Sequence, residues 1–133
     1  MTEFATHSAD RATLVQQAAA IRPILERNAE QTDALRRLPD ENVRAMKDNG
    51  LCRLMVPRRF GGHQTSIRTY LEVTAEIGRG CGSTAWVSSL INVCAWLTGL
   101  FPERAQQDVW GPDRDAWVAG SLAPNGQAVP VEG

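Results

Sequence analysis

Gly80–Val93, GCGSTAWVSSLINV, is the stretch on which the reading of this chain turns. It opens with Gly80, Gly82, Ser83 and Thr84, places Trp86 just inside, and then runs on as apolar sequence. A helix can begin with ordinary residues, so this run of small ones needs a reason. Small side chains allow two backbones to approach closely, and they also let a flat ligand lie against the start of a helix. Trp86 has the same two readings: it either packs or offers its ring face to a ligand. The residues alone leave both open.

Working outward, Ser83 to about Leu100 reads as a helix with apolar residues around most of its circumference, the pattern of a central helix in a bundle. Upstream, Ser66 can cap a helix over Ile67–Gly80 whose inward residues would be Ile67, Tyr70, Leu71, Thr74 and Ile77. Before that, LPDENVRAMKDNG (38–50) is a punctuated short helix. Pro39 suits its first turn, Asp40 and Glu41 complement the N-terminal dipole, and Gly50 suits the C-terminal cap. Val43, Met46 and Leu51 would face the core. Between these helices, Pro57, Gly61 and Gly62 mark a loop.

From Ala9 to about Arg37, Leu14, Ala18, Ile21, Leu25 and Leu35 recur at helical spacing, and Pro23 predicts a kink or a restart. Downstream, Pro102 opens a brief helix to Val109 or Trp110. After Gly111, AWVAGSLAP reads as a strand, Asn125–Gly126 as a turn and QAVPVEG as a returning strand, with Pro130 confining it to an edge. Two strands make no stable sheet alone. The expected organisation is therefore a flexible terminus at 1–8, a helical domain at 9–111, and at 112–133 the first β-hairpin of an incomplete β domain.

The 133 residues fit one domain, and 43% hydrophobic with 22% charged residues is an ordinary globular balance. With 14 basic and 15 acidic side chains, net charge −1, nothing in the charge favours nucleic acid or an anionic membrane as partner. The longest apolar run is interrupted by Ser88, Ser89, Asn92 and Thr98, so no transmembrane span is expected. MTEFATHSAD lacks the basic and apolar regions of a signal peptide. Three cysteines, Cys52, Cys81 and Cys94, without CxxC spacing, read as reduced thiols of a cytoplasmic protein.

Chemistry-bearing constellations are sparse. His7 and His63 form no cluster with other ligands, and His63 reads as a surface loop residue, so no metal site is expected. A nucleophilic pair of Cys94 and His63 has no support in spacing; Cys94 reads as a small core residue. Trp96 and Trp110 read as core anchors. There is no phosphate-binding glycine loop.

The segments LPDENVRAMKDNGLCRLMVPRRFGG (38–62), CGSTAWVSSL (81–90), LFPERAQQDVWG (100–111) and LAPNG (122–126) resemble the N-terminal helical domain of the acyl-CoA dehydrogenase superfamily. Within it they are most similar to the oxygenase components of two-component aromatic hydroxylases, which are flavin-dependent monooxygenases. The resemblance covers Leu35 to Gly133. It implies a mainly α fold, followed in complete members by a β-barrel-like middle domain and a C-terminal four-helix bundle, usually as tetramers. It implies reduced FMN or FAD as cofactor, a flavin reductase as partner and a small organic substrate, aromatic or polycyclic. Ser121, Leu122, Ala123 and Pro124 correspond to the strand end that faces the flavin ring. Trp86, Cys94 and Gly120 fall at substrate-pocket positions. No catalytic acid or base is implied here, because the dehydrogenases carry theirs in the C-terminal bundle. Members that hydroxylate phenols are expected to have histidine at position 94 and serine at 120, so Cys94 and Gly120 imply a different substrate or a degenerate member.

Three functions follow as expectations. The first is the N-terminal part of a flavin-dependent monooxygenase. The alternatives are the same part of an acyl-CoA dehydrogenase and a non-catalytic truncated subunit or oligomerisation module.

Overall fold

The structure, a computed structural model, describes residues 10–121, 123, 125–127 and 129–132. These form α1 (Arg11–Arg27), α2 (Ala29–Leu35), α3 (Asp40–Asp48), α4 (Ile67–Gly80), α5 (Gly82–Thr98) and α6 (Glu103–Trp110), with short 3-10 turns at Leu51–Arg53 and Arg58–Phe60. The expected mainly helical architecture is what the chain adopts. No described residue lies in a strand.

α1 starts where Asp10 accepts a hydrogen bond from Thr13 N at 2.7 Å, satisfying an orphan donor of the first turn. Leu14, Ala18, Ile21 and Leu25 make one buried stripe against α4. Of the kink or restart expected at Pro23, the restart does not occur: α1 continues through it to Arg27. The buried stripe spans Pro23, with Ile21 and Leu25 on either side, and tertiary packing outweighs the one lost donor. The break comes at Asn28, which starts a buried polar chain. Its Nδ2 donates to Glu41 Oε2 at 2.7 Å and Asn42 Oδ1 at 2.9 Å, and Asn42 Nδ2 donates to Thr84 Oγ1 at 3.1 Å.

α4 is capped by Ser66, whose Oγ accepts from Thr69 N at 3.2 Å. Its phase differs from the expected one. Tyr70 and Ile77 are buried as anticipated, but Thr69 and Val73 replace Ile67 and Leu71, which are 55% and 57% exposed, and Thr74 is only half-buried. Five apolar positions exceed what one stripe holds. The stripe that wins leads to Gly80, where a Cβ would lie 2.9 Å from Leu25 Cβ and 3.1 Å from Arg22 O. Gly80 is thus the close approach of α4 to α1 that its composition suggested.

The loop after α3 turns at Gly50 (φ +68) and folds back on itself, with His63 N donating to Arg53 O, Gln64 N to Val56 O and Thr65 N to Leu54 O. Phe60 meets Trp110 at 5.6 Å between ring centroids, forming a second small core with Val56 and Ala95. Trp110 is the anchor expected; Trp96 is not, being 44% exposed.

His63 is half-buried rather than a surface residue. Its ring packs over Gly50, where a Cβ would lie 2.8 Å from Nε2. Burial, then the nearby Arg53 guanidinium, holds its pKa below the ordinary value. The unfolded chain therefore takes up the proton first as pH falls below about 6.5, and the stability tied to neutral His63 is lost from there down to its lowered folded value. The denaturation midpoint is expected to fall between about pH 7 and about pH 5.5, before the carboxylates titrate, and His63→Gln should flatten that slope. Equal slopes in both proteins would contradict this account.

After Gly111 the described residues form no ladder, against the expected hairpin. Side chains hold this segment instead: Trp110 Nε1 donates to Ala116 O at 3.3 Å, and Lys47 Nζ lies 5.0 Å from the Trp117 ring centroid. The physical reason is the shortage of partners, since two strands without a third or a covering helix are marginal.

Candidate functional site

The site is built on α5, which buries a polar stripe and exposes large apolar residues. Thr84, Ser88 and Asn92, spaced one turn apart, are fully buried, while Trp86, Leu90 and Trp96 point outward. The expectation of a central helix is only half met: α5 buries Ala85, Ile91, Cys94 and Ala95 beside this polar stripe and leaves Trp86, Leu90 and Trp96 at the surface. The buried polar face is bonded. Thr84 accepts from Asn42, and Asn92 donates to Leu51 O at 2.9 Å and Ser88 O at 3.0 Å and accepts from Met55 N at 3.3 Å. Those bonds pull the polar side of α5 inward and fix the rotation that turns the tryptophans out.

The end of α5 is fixed by Gln106 of α6, whose Nε2 donates to Gly99 O at 3.0 Å and Phe101 O at 2.7 Å while Arg59 donates to its Oε1 at 2.6 Å. Carbonyls at the end of α5 and the loop at Pro57–Gly62 are thereby tied to one side chain.

Besides a hollow of about 620 Å³ at the helix end by Trp96, two hollows flank the part of α5 that carries the candidate residues. The first, about 490 Å³, lies at the helix start between Gly82, Ser83 and Trp86 on one side and Arg36, Arg37 and Leu38 on the other. Trp86 is 66% exposed there, and a Cβ on Gly82 would meet nothing within 4 Å. So the small residues of the opening stretch divide: Gly80 serves backbone approach, Thr84 the buried polar chain, and Gly82 borders open space. The second hollow, about 190 Å³, lies between α5 and the segment 118–120 and is lined by Val87, Leu90, Ile91, Cys94, Val118, Ala119 and Gly120. It brings Cys94 and Gly120 together: a Cβ on Gly120 would lie 2.9 Å from Cys94 Sγ. Trp86 borders the neighbouring hollow, with Val87 shared between the two.

Ser121 and Ala123 are exposed, just beyond the segment that closes the second hollow. Leu122 and Pro124 lie outside the described residues. Val87, Leu90 and Val118 were not singled out from the sequence. The buried polar stripe was readable in the Thr84–Ser88–Asn92 spacing, but it was obscured by the apolar residues on every side.

A larger groove of about 630 Å³ runs between α1 and α4, bordered by Val15, Ala19 and the Arg11–Glu72 ion pair, and contains none of the candidate residues. All three cysteines are free and buried, and burial pushes the Cys52 thiol up to about 12, far from thiolate reactivity. Cys94 and His63 line different places in the fold, which gives the nucleophilic pair no geometry. Among the described residues no three His, Cys, Asp or Glu side chains converge as a metal site, and no helix is long and apolar enough to cross a membrane.

Comparisons with known proteins agree with this architecture. The chain is 40% identical over 119 residues to the oxygenase subunit HsaA of a flavin-dependent monooxygenase from Rhodococcus jostii (strain RHA1); this covers 90% of the chain and 31% of the relative. It superposes on the crystal structure of the HsaA monooxygenase from M. tuberculosis with a TM-score of 0.83 at 38% identity, covering 87% of this chain and 32% of that one. It also superposes on XiaF from Streptomyces sp., solved in complex with FADH2 and glycerol, with a TM-score of 0.77 at 33% identity, covering 80% of this chain and 27% of that one. The chain thus spans about a third of the length of these proteins or less. Residues 10–114 match the model of the acyl-CoA dehydrogenase N-terminal domain, and it is to this family that the chain belongs.

Proposed function

We propose that the chain is the N-terminal part of a flavin-dependent monooxygenase oxygenase component acting on an aromatic or polycyclic organic substrate. The observation that carries this reading is the outward face of α5, where Trp86, Leu90 and Trp96 stand exposed beside two adjoining hollows. Exposed apolar surface of this kind marks a ligand or interaction face. The relative from Rhodococcus jostii is named as such an oxygenase subunit, and XiaF was solved with FADH2.

The residues present fit one side of a flavin site. Ser121 and Ala123 provide an exposed edge beside the apolar hollow, and by the resemblance the stretch to which they belong would face the ring. When bound, reduced FMN or FAD would supply the electrons that activate oxygen. The chain's own contribution is to exclude water: Val87, Leu90, Ile91 and Val118 give an apolar lining without a carboxylate or imidazole. The domain therefore supplies walls, and acid–base chemistry and most of the flavin grip come from elsewhere in a complete oxygenase. In that complete form we expect a homo-oligomer, a tetramer by analogy of fold, served by a flavin reductase.

The test is a chimera in which residues 10–121 replace the matching region of the Rhodococcus jostii oxygenase subunit. With reductase and isotopically labelled oxygen, it is expected to insert label into an aromatic or polycyclic substrate, whereas the 133-residue chain alone should retain no stoichiometric flavin. A folded, flavin-loaded chimera that leaves every such substrate unlabelled would sink the proposal, as would a flavin-replete isolated chain.

A further inference from the structure

We infer that Cys94 and Gly120 act together as a size filter that admits the unsubstituted hydrocarbon edge of a ring and does not read a hydroxyl. This deepens the proposed function and rests on it for the identity of the ligand as substrate. The thiol of Cys94 is 8% exposed on α5, and the space a Cβ on Gly120 would need ends 2.9 Å from its sulfur. That is closer than real Cβ contacts come, so a side chain at residue 120 must push the sulfur of Cys94 out of its place, into the hollow or off its rotamer. The remaining lining near the pair, Val87, Leu90, Ile91 and Val118, has no side-chain hydrogen-bonding group. A thiol is a weak donor and a weak acceptor, so a hydroxyl placed there would lose water without a good replacement. At about 190 Å³ the hollow is smaller than the roughly 300 Å³ from which pockets enclose a whole drug-sized ligand, so it takes one edge of a molecule.

The 133-residue chain, without flavin, tests this directly by titration with naphthalene and with 2-naphthol. Naphthalene is expected to bind at least as tightly as 2-naphthol. Gly120→Ser should weaken naphthalene about tenfold, and adding Cys94→Ala to the same chain should restore it, since the departing sulfur makes room for the new Cβ. Circular dichroism of each variant verifies that the helices persist. Should Gly120→Ser leave naphthalene affinity unchanged, or Cys94→Ala fail to restore it, the filter is wrong. Preference for 2-naphthol, or no binding of either probe, also overturns it. Because no flavin is present, a failure here leaves the chimera's oxygenation untouched, and a failed chimera leaves this ligand preference standing.

Discussion

Asn92→Ala is expected to destabilise the chain by about 3–5 kcal/mol, lowering its thermal midpoint by more than about 12 °C. The side chain is fully buried and spans two elements: Nδ2 donates to Leu51 O on the loop after α3, and Oδ1 accepts from Met55 N. Removal strands one buried carbonyl and one buried amide, each at about 1–3 kcal/mol, and leaves a small void as well. Asn92→Leu discriminates the causes, because it fills the volume but supplies neither bond. If hydrogen bonding dominates, leucine should be nearly as damaging as alanine in a thermal melt followed by circular dichroism. Recovery of most of the stability by leucine would show that Asn92 matters as volume alone. The loss should also reach the site, because these bonds set the rotation of α5 that turns Trp86 and Leu90 outward.

That rotation marks the boundary of what the sequence could tell. Helix positions were legible because their signals are local: Ser66 caps, Gly50 takes a left-handed turn, and Pro102 precedes α6. The faces of α4 and α5 were not, since both helices carry more apolar residues than one buried stripe can use. Which stripe is buried depended on partners far away in sequence, namely Leu25 against Gly80, Asn42 on Thr84, and Leu51 and Met55 on Asn92. The substrate-position residues came from resemblance, and Cys94 and Gly120 do converge on one hollow. Their steric dependence on each other was invisible in sequence, because it needs the segment 118–120 folded back on α5. The described residues after Gly111 form no strand, since alternation of residue types specifies one only where a sheet exists to receive it.

Gly62→Ala is expected to be among the most disruptive single methyl groups added to the described glycines. Gly62 is buried, and a Cβ there would lie 2.0 Å from Val56 O and 2.4 Å from Val56 Cβ, backbone and branched side chain that cannot swing aside. Relief requires the two arms of the loop to part. That would break the Gln64 N–Val56 O bond at 3.1 Å and strain its neighbours, Thr65 N–Leu54 O at 2.9 Å and His63 N–Arg53 O at 3.0 Å. Val56 and Phe60 would also be drawn off Trp110, opening the second core. Overpacking with loss of buried bonds places the expected penalty at about 4 kcal/mol or more, a large share of the roughly 5–15 kcal/mol that holds an ordinary domain. The adjacent Gly61→Ala is the control. Gly61 has φ +85, so alanine is strained there by about 1–2 kcal/mol, but its nearest neighbours are flexible arginine side chains at 3.7 and 3.8 Å. Denaturant titrations of both variants should therefore separate backbone collision from backbone strain. If Gly62→Ala unfolds no earlier than Gly61→Ala, the loop is looser than its hydrogen bonds imply, and the tie from Arg59 through Gln106 to the end of α5 cannot hold the apolar wall as tightly as drawn.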